Sequence, residues 1–187
     1  MNLYFRLLIV FLSSFFREKL ESIFSVSELT FRVLPHDLDL NGHMNNGRYL
    51  VIMDLGRLDL IMRNGTMRFM MKQKSVPILG ASKIRYRIPL SPFQRYKLQT
   101  QILCWDDKWA YMEQRFVIAD GSKKDGAVAA IAIVKGNFYS NKNKEMVNPK
   151  EMLKVMNIED VESPPIPRHV QKWIEAEEAL REVTQPD

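Results

Sequence analysis

Asp37-Leu38-Asp39-Leu40-Asn41-Gly42-His43-Met44-Asn45-Asn46-Gly47-Arg48-Tyr49 is the stretch from which the rest of the chain is read. Two carboxylates, three carboxamides, one imidazole and two glycines occupy thirteen residues, more reactive functionality than a turn requires. An apolar pattern at helical spacing starts directly behind it. Tyr49, Ile52 or Met53, Gly56 and Leu60 recur at intervals of three and four, out to about Arg63. The stretch therefore sets a carboxylate, an amide and an imidazole before a helix N-terminus, where backbone N–H groups lack intrahelical acceptors and the dipole is positive. Asn64-Gly65 breaks the helix. Gly56 in its interior costs about 1 kcal/mol against alanine. A sheet wrapped closely over the helix at that point accounts for it.

Outward from this stretch the pattern changes period. Before it, Leu29, Phe31 and Val33 alternate with Glu28, Thr30 and Arg32, which predicts a strand over 28–34 ended by Pro35. After it, a short basic helix is expected over 67–74, with Met67, Met70 and Met71 filling space. Four strands follow: Val76 to Pro89, bent near Gly80; Arg95 to Trp105; Trp109 to Ala119; and Ala127 to Tyr139. Short polar turns between long alternating runs mean antiparallel hairpins. The expected fold class is α+β: a five-stranded antiparallel sheet around one long helix. One sheet on one helix leaves an edge open, so dimerisation through that edge is expected.

The domain occupies residues 28–140, with an apolar helical extension over 1–27 and a helical tail over 141–187. In the tail, a short helix opens at Asn148-Pro149, Ser163-Pro164-Pro165-Ile166-Pro167 forms a stiff linker, and a last amphipathic helix runs from Val170 to Glu182. Leu3 to Phe16 is mostly apolar, interrupted by Arg6, Ser13 and Ser14. About 14 residues fall short of the ~20 that span a bilayer. No basic residues precede the run and no small-x-small cleavage site follows it, which argues against a secretion signal. Two readings lead, with a true membrane anchor as the third. One is an amphipathic helix packed on the domain or on a partner subunit. The other is a helix in the membrane interface with its arginines and lysines toward the headgroups.

Composition excludes more than it assigns. The 187 residues are 46% hydrophobic, enough for a core, with a net charge of +5. That mild excess suits an anionic substrate or an acidic membrane surface and gives no argument for nucleic acid. The single cysteine, Cys104, forbids an internal disulfide and points to a reducing compartment. Mid-strand and without a base nearby, Cys104 is not expected to be a nucleophile. No CxxC or HExxH spacing exists, so no metal or other cofactor is expected. The expected location is the cytoplasm, or peripherally the inner face of a membrane.

Asp39-Leu40-Asn41-Gly42-His43-Met44-Asn45-Asn46 with Tyr49 resembles the signature of hotdog-fold thioesterases of the 4-hydroxybenzoyl-CoA thioesterase type. The acyl-carrier-protein thioesterases, with Asp-x-Asn-x-His-x-Asn-Asn, are especially similar. The order of elements over 28–140 agrees. The resemblance implies hydrolysis of an acyl-CoA or acyl-carrier-protein thioester by a homodimer or homotetramer, without metal, in lipid metabolism. It implies Asp39 as the catalytic carboxylate, by water activation or by direct attack, with Asn41 and His43 as its amide and imidazole. Asp37 is expected to be structural, holding the loop through an Asx turn. The backbone N–H near Asn46 is the expected oxyanion donor, and Gly42 allows close approach. Asn45 and Tyr49 belong to the substrate side of the motif, although Asn45 and Asn46 also suit a helix cap. Lys83, Arg85 and Arg87 share one strand face, either solvated or facing coenzyme A phosphates across a dimer interface. A module of this fold that binds an acyl thioester or only dimerises, without turnover, is the rival reading.

Overall fold

Alternation of dry and wet side chains turns the second half of the chain into a curled sheet. The computed structural model describes residues 2–158 and 161–184. Residues 1, 159–160 and 185–187 lie outside that description, among them the outer ends of the two extensions. The elements run α1 (Asn2–Phe16), β1 (Ser27–Arg32), α2 (Asn46–Arg63), α3 (Thr66–Gln73), β2 (Ser75–Tyr86), β3 (Arg95–Trp105), β4 (Ala110–Ile118), β5 (Val128–Ser140), β6 (Glu145–Met146), α4 (Pro149–Val155) and α5 (Arg168–Val183). The strands pair antiparallel in the order β1-β3-β4-β5-β2, and β6 adds two residues beside β5. This is the expected α+β architecture of five long strands and one wrapped helix. The two-residue β6 is too short to give a sequence period.

The core lies between α2 and the concave face of the sheet. Ile52, Met53 and Leu55 of α2 are buried against Leu98, Phe116, Ala130, Ala132 and Val134. Gly56 is where the sheet comes closest. A β-carbon there would stand 2.5 Å from Thr100 Oγ1, 2.7 Å from Leu98 Cδ2 and 3.0 Å from Gln114 Nε2. The central strands β3 and β4 thus press on the helix at Gly56, where no side chain stands in the way. The expected bend of β2 near Gly80 is a bulge, where the register with β5 shifts between Leu79 and Ala81.

The two edges are β1 and β2. Along β2 most side chains are exposed, among them Val76, Leu79 and Tyr86. The tail covers the opposite face: Val170 and Trp173 of α5 pack with Cys104, Tyr111 and Ile133.

The N-terminal extension packs along α2. Its basic residues do not point outward, as the headgroup reading expected. Arg6 and Arg17 turn into the domain, toward Asp37 and Asp59, and Lys19 Nζ donates to the Met62 carbonyl. The cause is electrostatic: two carboxylates, 1% and 0% exposed, need compensation more than exposed guanidinium groups need water.

Candidate active site

The reactive stretch is a tight loop closed on itself. Leu38 and Met44 form an isolated antiparallel bridge, and the Asp39 N–H donates to the His43 carbonyl at 2.8 Å. Gly42 turns the chain at its tip with φ +72°, a conformation in which a side chain is strained, and its N–H donates to the Asp39 carbonyl at 3.1 Å. Asp39 Oδ1 accepts from the N–H of Asn41 at 2.9 Å and of His43 at 3.3 Å. The Asx turn expected of Asp37 is therefore made by Asp39. Its second oxygen, Oδ2, has no partner among the described residues, and the side chain is half-buried. Asn41 is exposed and His43 half-buried. Neither side chain hydrogen-bonds to Asp39 or to the other among the described residues.

Asp37 supports the loop from below. It is 1% exposed and takes both arms of Arg6, Nη1 at 3.1 Å and Nη2 at 2.6 Å. Its Oδ2 also accepts the Leu34 N–H at 2.9 Å, and Arg48 Nε stands 3.8 Å from Oδ1. Its carbonyl accepts the Asn45 N–H at 2.8 Å, while the Met44 N–H donates to Leu90. Asp37 is structural, as expected, through ion pairs and a bond back toward the strand. The Arg6 partnership has one sequence signal: an arginine inside an apolar run must meet an acid if it is buried.

The helix start sits directly behind. Asn45 caps α2, its Oδ1 accepting the Gly47 N–H at 2.8 Å, and its carbonyl accepts the Arg48 N–H. Asn46, the first residue of α2, is exposed, and its carbonyl accepts from Tyr86 Oη at 3.0 Å. That bond ties the end of β2 to the helix start, a link with no signal in the sequence. Tyr49 lies beneath, 2% exposed, its ring edge-on to Tyr86 and to Phe116. Burial pushes its phenol up to about 12, against an opposing hydrogen bond with the Leu90 backbone. Lys83 and Arg85 are exposed on β2, one to three residues from Tyr86, without an ion pair among the described residues.

No three His, Cys, Asp or Glu side chains among the described residues gather as metal ligands. Burial raises the Cys104 thiol to about 11, with the Asp106 charge adding to the shift, so it is a poor nucleophile. An apolar cavity of about 310 Å³ lies farther along α2, lined by Leu58, Ile61, Met67, Met70, Ile78 and Met112 among others. The loop does not line it. Met67 and Met70 fill part of this space, as expected, whereas Met71 is 75% exposed. A wider, open depression of about 860 Å³ lies under the tail between Trp105 and Ile166 and involves neither the loop nor β2.

Residues 33–174, which carry the loop, α2 and every strand of the sheet after β1, match the family model described as the thioesterase-like superfamily. The chain belongs to the thioesterase-like superfamily. The protein THEM6 of Xenopus laevis is 37% identical over 142 residues, covering 76% of this chain and 64% of that protein. THEM6 of Danio rerio is 33% identical over 159 residues, covering 85% of this chain and 74% of that protein. The chain thus matches about two thirds of the length of these relatives. The crystal structure of YbaW, a probable thioesterase from Escherichia coli, superposes with a TM-score of 0.63 at 19% identity, covering 71% of this chain and 96% of that one. This likeness establishes the shared hotdog fold of this thioesterase-like chain.

Proposed function

We propose that this chain hydrolyses acyl thioesters of coenzyme A or acyl carrier protein, with the Asp39 carboxylate as its reactive group. One observation carries the reading. Of the two Asp39 oxygens, one holds the loop by accepting two backbone N–H groups, and the other is left for a reactant. His43, which carries the imidazole, follows four residues later in the same loop, and its N–H is one of the two that Oδ1 accepts. The family membership supports thioester chemistry.

In the proposed step, Oδ2 takes a proton from water as the water oxygen adds to the thioester carbon. The carbonyl oxygen becomes an oxyanion that the Asn46 N–H, at the positive end of α2, stabilises. Collapse expels the thiolate, which recovers the proton. His43 would donate to the same carbonyl oxygen and Asn41 would orient the water. Direct attack of Oδ2 on the carbonyl carbon, through a mixed anhydride, uses the same oxygen and the same donor. Lys83 and Arg85 stand ready for phosphates on the strand that Tyr86 ties to the helix start. The open edge of β2 supports pairing with a second copy, and the apolar cavity beside β2 is of a size to take an acyl chain.

The test replaces Asp39 by Asn. Asparagine keeps Oδ1 as an acceptor for the Asn41 and His43 amides but removes the base. Hydrolysis of an acyl-CoA panel should fall about 10²–10⁴-fold with the fold intact. Equal rates for both proteins would remove Asp39 from the mechanism. Saturable acyl-CoA binding without hydrolysis by the wild type would favour the binding module.

A further inference from the structure

Helix α1 is inside out for a protein in water. Its polar side chains face the domain: Arg6 is paired with Asp37, and Ser14 Oγ donates to Asp59 Oδ1 at 2.7 Å. Arg17, just past its end, reaches Asp59 Oδ2 at 2.9 Å and the Glu28 carbonyl at 2.7 Å. Its opposite side is apolar and open. Tyr4, Phe5, Leu8, Ile9, Phe15 and Phe16 are each more than half exposed, from 51% to 90%. At 100° per residue, these six spread over about 140° of the helix circumference, while Arg6, Val10, Ser13 and Ser14 fall within about 100° on the other side. The six together expose on the order of 700 Å² of apolar surface, above the ~300–600 Å² of the largest patch on a typical monomer.

We infer that α1 lies flat in the interfacial layer of an acidic phospholipid membrane, its apolar arc among the acyl chains and its polar side bolted to the domain. Three observations choose this occupant. First, the exposed arc is convex and wide. Fluid hydrocarbon conforms to the whole of such an arc. Second, aromatic side chains stand at both ends, Tyr4 and Phe5 at one and Phe15 and Phe16 at the other, with Leu8, Ile9 and Leu12 exposed between them beside the ring of Phe11. Third, there is charge beside it. Arg32 and Arg95 stand directly opposite each other across β1 and β3, both exposed, without a salt bridge among the described residues. Arg6 anchors the start of α1 to the carbonyl of that same Arg32 at 3.2 Å. Like charges in that position repel unless an anion joins them, and lipid phosphates supply one. No helix among the described residues is long and apolar enough to cross a membrane.

The docked helix fixes the reactive loop relative to the membrane. Arg6 holds Asp37 two residues before Asp39, and the Asp37 carbonyl holds the Asn45 N–H at the start of α2. The substrate class that follows, which rests on the thioesterase reading, is a thioester whose acyl chain is long enough to partition into the bilayer.

Co-sedimentation of the full chain with extruded vesicles of phosphatidylcholine, with and without phosphatidylserine, tests the docking without reference to activity. The wild type should sediment with the phosphatidylserine vesicles and far less with phosphatidylcholine alone. Phe5→Glu/Phe15→Glu should lose binding at least tenfold while keeping its thermal midpoint, because both rings are already exposed. Arg32→Ala should weaken binding roughly fivefold, the scale of one cation near an acidic surface. Loss of all vesicle binding by the wild type, or equal binding by wild type and the double variant, overturns the proposal. So does a double variant that turns from dimer to monomer in size-exclusion chromatography with vesicle binding unchanged, which would make the arc a contact between copies. Hydrolysis of a short, soluble acyl-CoA should be unchanged in the double variant, and that of a long-chain, vesicle-partitioned one slowed. If neither is hydrolysed by the wild type, the thioesterase reading fails and the sedimentation result still stands.

Discussion

Gly56→Ala sets two effects of opposite sign against each other. On a free helix the substitution stabilises by about 1 kcal/mol, since alanine loses less backbone entropy than glycine. In this fold the new methyl group would come within 2.5 Å of Thr100 Oγ1 and 2.7 Å of Leu98 Cδ2. Both residues are fully buried on β3 and have no room to retreat. Overpacking of this kind costs about 1–3 kcal/mol. Gln114 adds to it. Its Nε2, 3.0 Å from the new carbon, donates to the Met53 carbonyl at 2.9 Å and to Thr100 Oγ1 at 3.0 Å. Straining a buried amide away from its acceptors costs about 1–3 kcal/mol more. Subtracting the helix gain leaves a net destabilisation of about 1–5 kcal/mol. For a chain of this size the middle of that range, about 3 kcal/mol, lowers the thermal midpoint by about 6–12 °C, read by far-ultraviolet circular dichroism. Thr100→Ala in the same protein should recover part of the loss, a coupling of more than about 0.5 kcal/mol. A midpoint raised by Gly56→Ala would refute the close wrapping of the sheet on α2.

Asp59 is 0% exposed and accepts from Ser14, Ser27, Arg17 and Arg63. Asp59→Ala strands the Arg63 guanidinium in the interior, with an expected loss of about 3–5 kcal/mol in urea unfolding and faster proteolysis within α1; an unchanged urea midpoint would contradict this. The pH dependence follows from the tyrosines. Burial raises the Tyr49 phenol to about 12, and burial also raises Tyr96 and, together with its bond to Asp106, Tyr111. The folded state thus holds these protons more tightly than the unfolded chain, whose phenols ionise near 10. The stability this provides is complete below pH ~10 and is lost as pH rises toward 12 and beyond. Absorbance at 295 nm should show these three silent until the protein unfolds, and ionisation of all six near pH 10 with the fold retained would rule the burial out.

Much of the fold was legible because one face of each strand is dry. The alternation over Arg95–Trp105 gives both ends of β3, and the three-and-four spacing after Asn46 gives both ends of α2. Gly56 announced the close approach of the sheet through its cost alone. The loop was legible as a cluster of chemistry, but the division of labour inside it was not. Asp37 and Asp39 are alike in sequence. Asp37 is buried under Arg6, across 31 residues, with Leu34 and Arg48 beside it, whereas Asp39 stays half open. The polarity of α1 was hidden for the same reason. Arg6, Ser14 and Arg17 fall on one helical face, yet the acids that turn this face inward lie on other elements. Tyr86 gave no signal either, because its hydroxyl meets a backbone carbonyl, which any residue at that position would supply.

The central claim is that one free carboxylate oxygen at the start of α2 performs thioester hydrolysis. It is tested most directly by the turnover number of Asp39→Asn against wild type on the best substrate of an acyl-CoA panel, with thermal unfolding measured alongside. The account predicts a fall of about 10²–10⁴-fold at an unchanged thermal midpoint. An undiminished turnover number would contradict it, and would leave Asp39 as nothing more than the residue that shapes the turn.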